Sequence, residues 1–185
     1  LSARQIFDEL GRWPHQLFDT WDEGPIASAS IGQVHRAITR DGRAVAVKIQ
    51  YPGVAEAVAS DLRNAGWIFG ALATLFPGVD PDPIVGEIRA RLLEELDYRR
   101  EADNQRLFHR YVAGHPYISV PAVVDELSTG RILTTELATG SRFAEVVGWS
   151  EAERNLAAET LFRFSFGAIY RLHALNGDPH PGNYL

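Results

Sequence analysis

The chain has 185 residues, 45% of them hydrophobic, enough to fill the core of one large domain or of two small lobes. Its formal net charge of −6, without a basic cluster, argues against nucleic acid as the main partner, because phosphate contacts need concentrated Lys and Arg. It has no cysteine, which excludes disulfides and thiolate metal sites. The longest apolar run is about half the ~20 residues of a membrane span, and no signal peptide is visible.

The chain begins with the patterns of a short helix and a first strand. Ser2 and Gln5 fit a capping box for a helix that ends near Gly11. Residues 16–24 are predicted as a strand, and residues 25–32 as the loop that follows it. The sequence therefore predicts a helix, a strand and a loop before the first hairpin.

The next segment predicts a hairpin followed by helices. Residues 33–51 alternate apolar and polar side chains on both sides of Asp41-Gly42, which is typical of a β-hairpin with a two-residue turn. The apolar period then changes to that of a helix over residues 54–75, and again from residue 84 onward. Pro and Gly between residues 77 and 83 break the helical pattern.

The last third predicts two strands and a long helix. The strands are expected over residues 117–126 and 131–137. Ser150 and Glu153 form a second capping box, which opens a helix to about Ala174. Strands, helices, strands and a helix in this order predict an α+β fold, with a small sheet-rich lobe followed by a helical lobe.

Residues 27–34, ASASIGQV, align with the kinase loop G-x-G-x-x-G-x-V, with alanine at the first two glycines and Gly32 kept. Such a loop turns its backbone N–H groups toward a phosphate. Alanine keeps the N–H group but restricts φ, so this loop should be stiffer. The hydroxyls of Ser28 and Ser30 offer further donors. The stretch alone also fits a tight turn between two strands.

Lys48 lies in VAVK on the strand after the hairpin turn, where the kinase motif V-A-I-K places a lysine that contacts the nucleotide phosphates. Strand alternation puts Ala46 and Lys48 on one face, and Val45 and Val47 on the other. A lysine on an exposed strand is also a common way to keep a sheet edge soluble. Its interval from the alanine-rich loop is what favours a functional interpretation.

The stretch EELDYRREADN supplies acids on a predicted helix. Asp97 and Glu101 are four residues apart and are therefore neighbours on one face, with Glu95 about 200° around the helix from Asp97. A solvated acidic face, which also includes Glu94, is the alternative interpretation. We predict that Glu101 pairs with Lys48.

Asp178 and Asn183 in GDPHPGN have the D-x-x-x-x-N spacing of a kinase catalytic loop, directly after the long helix. In that chemistry the aspartate accepts a hydroxyl proton, and the asparagine holds Mg²⁺ through a neutral amide oxygen. Pro179 and Pro181 keep the segment out of helix. His180 is predicted to pack or hydrogen-bond within the loop, since no second histidine stands at metal-binding spacing.

Taken together, four stretches resemble the ABC1/AarF/UbiB (ADCK) family of atypical protein-kinase-like proteins: the alanine-rich loop, VAVKIQYPGV, EELDYRREADN and GDPHPGN. The resemblance implies a protein-kinase-like fold, with a β-sheet N-lobe and inserted helices over residues 1–135. A hinge and a truncated helical C-lobe would occupy residues 136–185. It also implies that the chain binds ATP or ADP with Mg²⁺, and a link to isoprenoid-quinone biosynthesis or lipid homeostasis.

The resemblance further implies roles for single residues. Glu95 and Asp97 match the E-x-D pair that lies at the active site in relatives. The implied catalytic set is Asp178 as base, Lys48, Glu101, Glu95 and Asp97, with Asn183 as metal ligand. The implied nucleotide-binding set is Ala27, Ser28, Ala29, Ser30, Gly32, Val34, Lys48, and the hinge residues Glu136 and Ala138.

The sequence departs from the family pattern at both ends. The upstream K-x-G-Q element is absent, and no D-F-G follows Asn183. The chain also contains no Met, so we interpret it as an internal fragment. Because the D-F-G aspartate is the main Mg²⁺ ligand in kinases, we expect little or no phosphoryl transfer by this chain alone.

Three functions remain open at this point. The first is a kinase or ATPase in the full-length protein. The second is a small-molecule phosphotransferase of the aminoglycoside or choline kinase type, whose loop also resembles GDPHPGN. The third is a pseudokinase-like scaffold that binds nucleotide as a switch. The expected partners are adenine nucleotide and a lipid or quinone precursor. We expect a cytoplasmic protein, with peripheral membrane association through segments outside this chain.

Overall fold

The computed structural model describes residues 1–61, 82–175, 177 and 180–185. The chain divides into two compact units. The first comprises Leu1–Asn104 and Val123–Glu136, and the second comprises Gln105–Ala122 and Leu137–Leu185. Helices and an antiparallel sheet both occur, as the α+β class predicts. The assignment of lobes to residues 1–135 and 136–185 stays a prediction.

The first unit is built on a five-stranded antiparallel sheet in the order β1-β3-β4-β5, with β2 also paired to β3. The strands are β1 (Phe18–Trp21), β2 (Ala27–Ala29), β3 (Gly32–Thr39), β4 (Ala44–Gln50) and β5 (Ile132–Glu136).

Six α-helices accompany the sheet in the described residues: α1 (Ser2–Leu10), α2 (Pro14–Leu17), α3 (54–61), α4 (Asp82–Glu95), α5 (Tyr98–Tyr111) and α6 (Glu151–Leu172). The rest of the helix predicted over 54–75, and most of the breaker at 77–83, lie outside the described residues. Within the described part, no helix is both long and apolar enough to cross a membrane.

The predicted hairpin is confirmed, but its turn is longer than the predicted two residues Asp41-Gly42, because Thr39 faces Arg43 and residues 40–42 lie between them. Strands β3 and β4 pair in register up to Ile38 and Ala44, and the Thr39 N–H donates to the Arg43 carbonyl at 2.9 Å. Gly42 has a φ of +87°, a left-handed conformation that glycine adopts without steric cost. A local turn requirement therefore fixes the register of the two central strands.

The core of the first unit lies on one face of this sheet. Val45 and Val47 of β4 are fully buried there, together with Ile132 of β5 and Ile6 of α1. A smaller cluster covers the opposite face, with Tyr98, Ala102 and Leu133 buried and Ile31 and Val123 packed against them. Lys48 projects onto this second face, as strand alternation predicts.

The prediction of a single strand over residues 16–24 and a loop over 25–32 is wrong in detail. Residues 14–17 are helical, so β1 begins only at Phe18. Ala27–Ala29 forms β2, which pairs with β3 and leaves only residues 30 and 31 as the turn. Small side chains next to a tight turn suit a hairpin, and hydrogen bonding to β3 makes this segment a strand.

The strand predicted over residues 117–126 is also wrong. Only Val123 forms a bridge, and it is followed by a short 3-10 turn, Asp125–Leu127. The carbonyls of Val120 and Pro121 accept hydrogen bonds from the His109 and Gln105 side chains at 2.6 and 2.9 Å, in place of a neighbouring strand. Proline also lacks the N–H group that a ladder requires.

Ser2 does not cap α1, contrary to the prediction. Leu1 takes the N-cap position without a side-chain hydrogen bond, and Ser2 is buried inside the first turn. The Ser2 Oγ contacts the Gln33 amide and lies 3.1 Å from His35 Nε2. His35 Nδ1 must donate to the Asp22 carbonyl at 2.9 Å, since that oxygen can only accept. The serine therefore ties α1 to the sheet.

In the second unit, the capping box at Ser150 and Glu153 is confirmed as the start of α6. Phe164 on one face of this helix packs against Phe108 and Tyr111, with ring centroids 5.6 and 6.5 Å apart. The large apolar side chains of α6 that remain exposed are Leu156, Phe162, Phe166 and Tyr170.

Replacement of Gly32 by alanine should destabilise the first unit. An added Cβ would overlap the carbonyl of Ile49 and lie 3.0 Å from the Tyr98 hydroxyl. Overpacking of this kind costs about 1–3 kcal/mol, or roughly 3–10 °C in Tm for a chain of this size. Thermal unfolding measures it. Gly86→Ala in α4, where a Cβ meets nothing within 4 Å, should leave Tm unchanged or raise it. Equal Tm values for the two variants would contradict the overlap.

Candidate functional site

Lys48 and Glu101 form an ion pair on the second face of the sheet. The Lys48 Nζ donates to both carboxylate oxygens of Glu101, at 2.8 and 2.6 Å. The lysine comes from β4 and the glutamate from the first turn of α5. The Lys48 side chain is only 25% exposed, so its charge needs a partner more than a surface lysine does. The structure thus brings together the two residues that the sequence pairs.

Tyr98 completes the surroundings of this lysine, and sequence reasoning missed it. The Lys48 Nζ lies 4.6 Å from the centroid of the Tyr98 ring. Tyr98 stands three residues before Glu101 on α5, so both face the same side of that helix. A tyrosine three residues before the predicted acid is the sequence signal that could have indicated its contact with Lys48.

The Tyr98 hydroxyl is buried and finds no hydrogen-bond partner among the residues that the structure describes. The side chain is 1% exposed. Burial raises the pKa of Tyr98 well above its ordinary value, and the nearby charges of Glu101 and Glu95 raise it further, with Tyr51 contributing as well. The phenol therefore stays protonated throughout the physiological range.

The expected continuous helix through EELDYRREADN is interrupted. Helix α4 ends at Glu95 and α5 begins at Tyr98. Asp97 lies in the break, where its Oδ1 accepts the Arg99 N–H at 3.1 Å. The side chain of Gln50 donates to the Leu96 carbonyl at 2.7 Å, which ties the break to β4. Asp97 therefore acts as an N-cap of α5, and it does not lie on one helix face with Glu101 as predicted. The physical reason is that hydrogen bonds to other parts of the chain compete with those of a continuous helix.

The other acids of this region are mostly solvated. Glu95 is the exposed last residue of α4. Glu94 pairs with Arg100 at 2.9 Å and with Arg91 at 3.4 Å, both largely exposed. Such surface pairs contribute at most about 1 kcal/mol. The solvated-face interpretation therefore applies to Glu94, and the active-site role of Glu95 and Asp97 stays a prediction.

The alanine-rich loop is an accessible hairpin end. Ala27, Ser28 and Ser30 are exposed, Ala29 is half-buried, and the hydroxyls of Ser28 and Ser30 make no hydrogen bond within the described residues. Gly32 is buried, because β3 and β4 approach too closely there for a side chain. Val34 of β3 pairs directly with Lys48. Free hydroxyl donors on a hairpin whose second strand pairs with the strand of Lys48 suit the oxygens of a phosphate.

The remaining predicted residues lie at the end of β5, in the second unit or outside the described residues. Glu136 is the exposed last residue of β5, and Ala138 is exposed shortly after it. Asp178 lies outside the described residues. Asn183 ends the short 3-10 turn Pro181–Asn183, which His180 caps by accepting the Gly182 N–H at 3.0 Å. The predicted hydrogen-bonding role of His180 within the loop agrees with this geometry.

For Mg²⁺, the described residues offer no cluster of three or more His, Cys, Asp or Glu side chains. Asn183 supplies the kind of neutral oxygen that suits a hard cation. The acid at the matching spacing, Asp178, is not described. The role of Asn183 as a metal ligand therefore stays a prediction, and we derive no chemical step through a metal.

An antiparallel sheet, a strand lysine held by a helix glutamate and a preceding hairpin loop of small residues together define a kinase-like architecture. Residues 2–185 match the sequence profile of the ABC1 atypical kinase-like domain. The chain belongs to this family, as the resemblance predicts.

Individual relatives agree with this assignment. The Caenorhabditis elegans protein "Atypical kinase coq-8, mitochondrial" is 38% identical over 183 residues, 98% of this chain and 24% of that protein. The Rattus norvegicus "Atypical kinase COQ8B, mitochondrial" is 38% identical over 178 residues, 96% of this chain and 34% of that protein. The chain thus spans about a quarter to a third of these relatives' length.

A solved structure confirms the kinase-like fold class. It is described as "The complex structure of Rv3197-erythromycin from Mycobacterium tuberculosis". It superimposes with a TM-score of 0.88 at 41% sequence identity, and covers 100% of this chain and 47% of that chain.

The raised pKa of Tyr98 predicts a loss of stability in alkaline solution. In the unfolded chain a tyrosine loses its proton near pH 10, whereas the buried Tyr98 keeps it. The unfolded state then binds fewer protons than the folded state, so stability falls as the pH rises above about 10. Between pH 9 and 11, the free energy of unfolding should fall by about 1 kcal/mol more in the wild type than in Tyr98→Phe.

Denaturant titrations at the two pH values measure this difference, and the other five tyrosines are present in both proteins, so the comparison isolates Tyr98. Identical pH dependence in wild type and variant would contradict a buried, neutral phenol.

Proposed function

We propose that this chain binds adenine nucleotide, as the nucleotide-binding part of an atypical kinase or ATPase. The observation that carries the proposal is the ion pair of Lys48 and Glu101 on β4 and α5. Its place beside a hairpin of small residues matches the phosphate-binding arrangement of kinases. Membership of the ABC1 family supports the same interpretation.

The loop residues and the ion pair of the first unit each have a defined task in this proposal. The Lys48 ammonium neutralises phosphate charge, and Glu101 holds it at a fixed position above the sheet. The Ser28 and Ser30 hydroxyls donate to phosphate oxygens, and the bare Cα of Gly32 keeps the base of the loop close to β4. ATP, when bound, supplies the transferable phosphoryl group.

The remaining roles follow from the family resemblance alone. Asp178 would accept a proton from the phosphoryl acceptor, and Asn183 would hold Mg²⁺. Glu95 and Asp97 would line the active site, and the backbone from Glu136 to Ala138 would contact adenine. These assignments make the full-length protein an enzyme. A pseudokinase would bind the same nucleotide but would not transfer its phosphoryl group.

For the acceptor, we propose a lipid or isoprenoid-quinone precursor. Four similar proteins carry the name COQ8, COQ8B or coq-8 with the word mitochondrial, which supports a quinone-related substrate. For the location, we propose the cytoplasm or, as for the relatives named mitochondrial, that organelle, with peripheral contact to a membrane.

A second candidate function is the binding of a macrolide. The similar solved protein was described in complex with erythromycin, at 41% identity over the whole of this chain. Thermal unfolding with erythromycin, alone and with ATP present, tests this. A stabilisation by erythromycin that disappears at saturating ATP indicates a shared site, and additive stabilisation indicates separate sites. No stabilisation at solubility-limited concentration contradicts macrolide binding.

Nucleotide binding should raise the Tm of the chain. A ligand at about a hundred times its Kd adds about 2.7 kcal/mol, roughly 5–10 °C for a chain of this size. We expect this shift with Mg-ATP or Mg-ADP in the wild type and its loss in Lys48→Ala. Differential scanning fluorimetry measures it.

The matched control is Arg43→Ala. Arg43 is a cation in the turn between β3 and β4 that pairs with Asp41 and Glu126, away from Lys48. This variant should keep the full shift. A folded wild type without any shift, or a Lys48→Ala variant that shifts as much as the wild type, contradicts the proposal.

A further inference from the structure

Tyr98 is the residue around Lys48 to which the proposed nucleotide chemistry gives no task. We propose that Tyr98 is a positioning residue, whose ring face and not its hydroxyl holds the Lys48 ammonium in place for the phosphates. This inference rests on the proposed nucleotide-binding function. In this inference the buried ring of Tyr98 orients the lysine, whereas Glu101 balances the charge of the lysine.

The geometry around Nζ leaves a role for such a residue. A lysine ammonium has three donors on a flexible stem of four carbons. Two of the contacts go to the Glu101 carboxylate, at 2.8 and 2.6 Å. The Tyr98 ring lies 4.6 Å from Nζ, within the range of a cation–π contact. The carboxylate alone permits rotation of the lysine about it, and the ring removes part of that freedom.

The ring itself is held rigidly. Tyr98 is 1% exposed and packs with Ala102 and Leu133, on β5 opposite Lys48. Its hydroxyl end lies 3.0 Å from the place that a Cβ on Gly32 would take. The aromatic ring is therefore wedged between the base of the alanine-rich loop and the lysine, and cannot turn away from either without moving α5.

The hydroxyl takes no part in this support. It is buried and makes no hydrogen bond to any part of the chain that the structure describes, so its desolvation is not compensated there. The charged or titratable groups that face the ring are Lys48, Glu101, Glu95 and Tyr51. None of them forms a hydrogen bond with the phenol. Phenylalanine at position 98 should therefore keep the positioning role, whereas an aliphatic residue should lose it.

The chain offers a direct test, because Lys48 is its only lysine. Competitive acylation with trace acetic anhydride at one fixed pH, read by mass spectrometry, then reports the availability of a single side-chain amine. Tyr98→Phe should match the wild type within about twofold. Tyr98→Leu should be acylated about threefold to tenfold faster, the range expected from the loss of a partly buried cation–π contact.

Two further proteins separate positioning from general loosening of the core. Phe18→Leu removes an equally buried ring from the other face of the sheet and should leave the acylation rate of Lys48 unchanged. A trifluorinated phenylalanine at position 98 keeps the shape of the ring but weakens its negative face, and should raise the rate toward that of Tyr98→Leu. The fluorinated variant therefore tests the positioning role of the ring even if Tyr98→Leu does not fold.

Nucleotide affinity provides the functional readout. The Kd for Mg-ATP, measured by calorimetry, should be unchanged in Tyr98→Phe and about threefold to tenfold weaker in Tyr98→Leu and in the fluorinated protein. The acylation rates are measured without nucleotide, so they test the positioning role even if the wild type binds no ATP. Equal rates in the wild type and the fluorinated protein overturn the inference, and so does a Tyr98→Phe variant that behaves like Tyr98→Leu.

Discussion

The structure of the first unit depends on keeping one ammonium group charged on a largely covered sheet face. A lysine that is three-quarters buried is costly unless an acid and further favourable contacts surround it. Glu101 and Tyr98 meet this need from a single turn of α5, which must therefore lie across β4. The position of this helix is thus set by the electrostatics of one strand residue as much as by apolar packing.

The break between α4 and α5 follows from the same requirement. A straight helix through the acidic stretch would leave the Leu96 carbonyl bonded within the helix. In the structure, Gln50 takes that carbonyl, and Asp97 caps the new helix start. Gln50 follows Lys48 by two residues, on the same face of β4. Strand β4 therefore holds the helix break through the side chain of Gln50, and it holds Glu101 of α5 through the side chain of Lys48.

The elements that could be predicted from sequence are those determined by their own residues. The Asp41-Gly42 hairpin and the Ser150 cap of α6 need only local geometry. The pairing of Lys48 with Glu101 was accessible because both lie in family motifs. Ser2 and the break at Asp97 could not be predicted, because distant partners, His35 and Gln50, decide their hydrogen bonds. Tyr98 was missed because an aromatic residue beside acids resembles ordinary core.

The close approach at Gly32 has a consequence for how losses of function are interpreted. This position carries no polar side chain, yet a methyl group there would press on the backbone of β4 and on the residue that supports the lysine. A saturation mutagenesis screen for ligand binding would rank it among the most sensitive positions. Such sensitivity would arise from steric exclusion between protein segments, so intolerance to substitution in this loop is not evidence that a residue touches the ligand.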